Sequence, residues 1–134
     1  MKSRMTPGHA DYHHRHEPIL YGYGPGDVRP GRGGRTGSRW YGGHNETSVL
    51  EFPRPAASRD HPTAKPVGLV ERCLRNSTTE GDLVFDPFAG SGSTIIAAER
   101  LGRPSAAIEL DPRYAAVAIR RWEAFTGRTA VRRG

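Results

Sequence analysis

Apolar and polar positions follow two different regimes along the chain, and the change falls near His61. Beyond that point the pattern is regular. Pro66 suits the first turn of a helix, and Val67, Val70, Cys73 and Leu74 then recur on one face. Asn76 to Gly81 (NSTTEG) reads as a turn, and Asp82 to Asp86 (DLVFD) as a short apolar run of the kind that forms a buried parallel strand. A Gly/Ser loop leads into a helix over Thr94 to Leu101, stopped by Gly102. Ser105 to Leu110 (SAAIEL) reads as a second strand. Asp111 caps a last helix opened by Pro112, with Tyr114, Ala118, Trp122 and Phe125 spaced along its core face and Gly127 at its end. The order helix–strand–helix–strand–helix predicts an α/β fold built on a parallel sheet with flanking helices.

Residues 1–60 lack both periodicities. The stretch from Gly22 to Gly43 is rich in Gly, Arg and Tyr, and its glycines make ordering costly, so it reads as a mobile loop or arm. Short strand-like pieces flank it at Pro18–Tyr21 and Ser48–Phe52, the second ended by Pro53 and Pro55. The expected organisation is an irregular, flexible region over 1–60 and an α/β segment over 61–134.

Composition narrows the function classes. A chain of 134 residues, 35% of them hydrophobic, allows one domain at most, and not all of it packs. The formal charge of +6 makes an anionic partner plausible, with nucleic acid the first candidate. One cysteine excludes an internal disulfide framework and fits a reducing compartment; on its helix face Cys73 reads as a core filler. The group His9, His13, His14 and His16 lacks partner carboxylates or cysteines at a fixed spacing, and reads as solvated rather than metal-binding. No apolar run approaches the ~20 residues of a membrane helix, so no membrane partner and a cytoplasmic location are expected.

The candidate chemistry lies at the strand ends, where open α/β sheets bind ligands. The first strand ends at Asp86 and enters Pro87-Phe88-Ala89-Gly90-Ser91-Gly92-Ser93-Thr94, in which Gly90 and Gly92 allow a tight turn and close approach of a ligand. A phosphate-gripping P-loop needs a lysine just before the Ser/Thr, and none follows Gly92. A nicotinamide dinucleotide site wants a third glycine where Ile95 stands, although an acid about twenty positions on is present. S-adenosylmethionine (SAM) carries an ammonium, a carboxylate and a ribose but no phosphate; Asp86 suits the ammonium and Glu109 the ribose hydroxyls. The plain alternative is that Asp86 only ends its strand and caps the loop.

Three boxes in order, His61-Pro-Thr-Ala-Lys65-Pro66, Asp86-Pro-Phe-Ala-Gly90-Ser-Gly92 and Ile108-Glu109-Leu-Asp111-Pro-Arg-Tyr114, resemble the SAM-binding half of bacterial and phage DNA amino-methyltransferases of the permuted β class. His16-Glu-Pro-Ile-Leu-Tyr21-Gly22 is similar to a segment these enzymes carry between their two halves. The resemblance implies a partial Rossmann-like methyltransferase fold and SAM as cofactor. It implies Thr63 and Lys65 near the methionine carboxylate, Asp86 on the ammonium, Phe88, Gly90, Ser91 and Gly92 shaping the cradle, and Glu109 on the ribose, with the residues after it flanking the adenine. The family's target-recognition element falls where Arg29, Arg32, Arg35 and Arg39 interleave with glycines and Trp40-Tyr41, so these arginines are candidates for tracking a DNA backbone, against a plain linker. The family holds its target base with an Asp/Asn/Ser-Pro-Pro-aromatic loop. Here no two of the 11 prolines are adjacent, so no catalytic residue is assigned. The chain therefore looks like the C-terminal part of such an enzyme. It is expected to need a missing N-terminal catalytic segment or self-association. The rival readings are a non-catalytic SAM- or DNA-binding remnant and a nicotinamide-binding Rossmann fragment.

Overall fold

A computed structural model describes residues 16–22, 40–43, 45–53 and 64–133. Its elements are α1 (Val67–Ser77), β1 (Val84–Asp86), α2 (Ser93–Arg100), β2 (Ser105–Ala107) and α3 (Pro112–Thr126), in the expected order. The two strands pair in parallel, Val84 opposite Ser105, Phe85 opposite Ala106 and Asp86 opposite Ala107. A small parallel sheet flanked by helices is part of a Rossmann-like fold.

Local chemistry explains the helix limits. Pro66 stands just ahead of α1, and its carbonyl accepts from Leu69 N at 3.1 Å. α2 ends in a Schellman motif, with Gly102 N on Glu99 O and Arg103 N on Ala98 O, made possible by Gly102 at φ +67. Asp111 caps α3 by accepting from Arg113 N at 2.9 Å, with Pro112 at the first helical position. The exposed Arg113 guanidinium and this backbone amide together hold the Asp111 carboxyl below its ordinary pKa.

The short α2 is the hub, touching α1, the sheet and α3. The buried hydrophobic side chains are Val84, Ile96, Ala97, Ala98 and Ala118, and most of them belong to α2. On its α1 side, Arg100 pairs with Glu71 at 2.9 Å. On its α3 side, Glu99 accepts from Trp122 Nε1 at 3.0 Å and pairs with Arg128, whose guanidinium lies 4.7 Å from the Trp122 ring centroid. Cys73 is half-buried in α1, and desolvation pushes its thiol pKa up, as suits a filler rather than a nucleophile.

Several expectations need correction. Both strands are shorter than DLVFD and SAAIEL implied, because a two-stranded sheet pairs only where both chains run alongside. β1 is not buried on both faces: Val84 is buried, but Phe85, like Leu83 just before the strand, is mostly exposed, since no further layer among the described residues covers that side. Phe125 is also largely exposed, stacked under Arg100 at 5.3 Å rather than in the core. Pro18–Tyr21 and Ser48–Phe52 form no strand. Residues 40–43 and 45–53 instead lie against α1: Tyr41 N donates to Asn76 O, Glu46 holds Arg72 and Asn76, and the Phe52 ring covers Gly68. The division expected near His61 falls on residues outside those described.

Candidate functional site

The site grows from the C-terminal end of β1. Ile108 N donates to Asp86 O at 2.9 Å, and Ala89 N to Ile108 O at 2.9 Å, so the two chains stay bound to each other past the last paired residues. Asp86 Oδ1 then accepts from Phe88 N at 3.0 Å, turning the chain into the glycine loop. That is the capping role that the plain alternative assigned to it. Its Oδ2 accepts no hydrogen bond among the described residues, so half of the carboxylate stays available.

Glu109 closes the loop from the segment just after β2. Its Oε2 accepts from Gly90 N at 2.7 Å and its Oε1 from Asp111 N at 2.9 Å. Each oxygen retains a lone pair beyond these bonds, enough for two hydroxyl donors. Two carboxylates from adjacent chain segments thus engage one loop. Phe88 and Leu110, both almost fully exposed, add apolar surface beside it.

The loop has a back wall that sequence reasoning missed. Ser91 is buried, and both its carbonyl and its hydroxyl accept from Arg121 Nη1, at 2.5 and 2.8 Å. Both the Ser91 side chain and its carbonyl are therefore turned inward, toward α3. Gly92, at φ +79, approaches α3 so closely that a Cβ there would lie 2.9 Å from the Ala118 Cβ. Its missing side chain makes room for α3 rather than for a ligand. A charge one turn beyond Ala118 on an otherwise apolar face was the only signal in the sequence.

The remaining candidates divide. Lys65 adjoins the loop through its backbone, since Ser93 Oγ donates to Lys65 O at 2.9 Å. Its ammonium is paired with Glu17 at 2.5 Å on the surface. Thr63, Arg29, Arg32, Arg35 and Arg39 lie outside the described residues, as do His9, His13 and His14. No helix among the described residues is long and apolar enough to cross a membrane.

Residues 5–120 match a family described as DNA methylase. Over 64 residues the chain is 48% identical to the type II methyltransferase M2.DpnII of Streptococcus pneumoniae, covering 48% of this chain and 24% of that protein. It is 40% identical over 78 residues to the DNA adenine methyltransferase YhdJ of Escherichia coli (strain K12), covering 55% and 26%. Among solved structures, the M1.HpyAVI–SAM complex aligns at 32% identity with a TM-score of 0.54, covering 62% of this chain and 43% of that one. The chain spans about a quarter of the length of these curated relatives.

Proposed function

Because the chain belongs to the DNA methylase family, we propose that it is the SAM-binding part of an enzyme that methylates an exocyclic amino group of adenine or cytosine in DNA. The observation that carries this reading is the convergence of Asp86 and Glu109 on the turn from Phe88 to Gly92, Asp86 accepting from Phe88 N and Glu109 from Gly90 N. The donor set fits the cofactor. The free Asp86 Oδ2 suits the ammonium, the spare lone pairs of Glu109 suit two ribose hydroxyls, and exposed Phe88 and Leu110 suit the faces of an adenine. Gly90 lines the cradle, Ser91 and Gly92 shape it from behind, and the reading assigns the methionine carboxylate to Thr63 and to Lys65, whose ammonium would exchange Glu17 for it. SAM supplies, when bound, an activated sulfonium methyl group. This chain's residues fix the direction in which that methyl points; they need no acid or base of their own for it, and proximity carries most of the rate.

The base-holding residues come from outside this sequence, which has no adjacent prolines and matches only about a quarter of its relatives' length. The partner is a catalytic segment or a second copy, covering the apolar side chains left exposed along the sheet, Leu83, Phe85 and Ile108. Arg29, Arg32, Arg35 and Arg39 contact the DNA backbone, and residues 61–134 act as the cofactor unit, in the cytoplasm. The same two observations favour a second reading of the chain taken alone, a SAM-binding module without turnover.

Equilibrium dialysis of the full chain against SAM and against NAD tests the cofactor reading. SAM binding that falls at least about tenfold in Asp86→Ala supports it; NAD binding without SAM binding refutes it. Transfer of tritiated methyl groups to unmethylated DNA separates enzyme from module.

A further inference from the structure

The glycine loop is gripped from two sides by charged groups, and only one of them faces the proposed ligand. On the ligand side Glu109 holds Gly90 N. On the far side Arg121 reaches from α3 to Ser91, with one nitrogen serving both its carbonyl and its hydroxyl. The contact is sheltered: Ser91 is 3% exposed, and Gly92 sits directly against Ala118, one turn earlier on α3. Between these grips the chain makes a single tight turn, Gly92 N donating to Ala89 O at 2.8 Å, before α2 begins. The loop carries no side chain large enough to wedge it in place. Its curvature must be imposed from outside.

We propose that Arg121 is the positioning residue that fixes the shape of the Gly90–Gly92 loop, and through it the placement of the SAM cradle. The role of the cradle rests on the cofactor reading above; the shape of the loop does not. Arg121 holds the Ser91 carbonyl down toward α3, which turns the Gly90 N–H outward to Glu109 and keeps the Glu109 carboxylate beside the cradle. A charged hydrogen bond in a sheltered place is stronger than a neutral one, and its loss frees the turn. A lysine can replace it, because a single nitrogen makes both contacts; an apolar side chain of similar length cannot.

Amide hydrogen exchange on the full chain tests this without any ligand. In Arg121→Met, exchange at Gly90 and Gly92 should rise at least about tenfold, while the α2 amides of Ile96, Ala97 and Ala98 stay within about twofold. Arg121→Lys should keep the loop amides within about threefold of the parent. Unchanged loop protection in Arg121→Met overturns the proposal. So does an Arg121→Lys chain as damaged as the methionine variant, and that arm decides the matter if Arg121→Met fails to fold. SAM affinity measured in parallel should fall about tenfold in Arg121→Met and recover in Arg121→Lys. A parent chain that binds no SAM counts against the cofactor reading, while the exchange rates still decide the role of Arg121.

Discussion

Gly92→Ala puts the loop's packing to a quantitative test. The substitution meets two separate penalties. Gly92 has φ +79, a left-handed conformation that costs an alanine roughly 1–2 kcal/mol. The new Cβ would also lie 2.9 Å from the Ala118 Cβ and 3.2 Å from its Cα, well inside the roughly 3.5–4.0 Å of ordinary carbon contact. Overpacking a filled site costs roughly 1–3 kcal/mol. Loss of chain freedom in the unfolded state returns about 0.4–1 kcal/mol. The net loss is about 1–4.5 kcal/mol, which in a unit of this size lowers the melting temperature by about 4 °C or more. Gly81→Ala is the control: its φ is +84, yet nothing lies within 4 Å of its built Cβ, so it carries the backbone penalty alone. Urea unfolding followed by helix ellipticity compares the two. Measured against Ala118→Gly alone, adding Ala118→Gly to Gly92→Ala should relieve the clash with the Ala118 Cβ and leave the backbone share and the approach to its Cα. If Gly92→Ala and Gly81→Ala prove equally destabilising, the close approach of loop and α3 plays no energetic part, and the reasoning fails.

Three further outcomes follow from the same geometry. Asp86→Asn keeps an oxygen to accept from Phe88 N and should leave stability within about 1 kcal/mol of the parent, while calorimetry shows SAM affinity reduced by about tenfold or more; equal affinity means that Asp86 is only a cap. Glu109→Gln leaves one carboxamide oxygen for two backbone donors, so it should weaken both folding and SAM binding by about 1–3 kcal/mol, visible in urea titrations and dialysis. Asp111 has a folded pKa below its ordinary value, so its cap stabilises α3 above about pH 4 and is lost as the pH falls through that lowered value. Melting curves of Asp111→Asn from acid to neutral pH should accordingly be flatter than those of the parent.

The sequence reading and the structure diverge for physical reasons. Caps and stops were legible because they act locally: Asp111-Pro112, Gly102 and Gly127 each do at their positions what their chemistry requires. That Asp86 and Glu109 meet at one glycine loop was legible because each stands where a strand gives way to a turn, next to backbone N–H groups that need an acceptor. Burial was not. Phe85 lies on a strand yet faces outward, since a side chain is buried only when another layer arrives to cover it. The missing Cβ of Gly92 leaves room for Ala118, and no local pattern distinguishes room for a ligand from room for a neighbouring helix. Arg121 lay hidden for the same reason, its partner Ser91 being distant in the sequence and brought near only by the fold.

The most direct measurement is a crystal structure of the full chain grown with SAM. The account predicts the ribose hydroxyls within about 3 Å of the Glu109 carboxylate and the ammonium within about 3 Å of Asp86 Oδ2, with the adenine beside Leu110. An intact fold with SAM absent from that loop, or bound with its ribose turned away from Glu109, would contradict it.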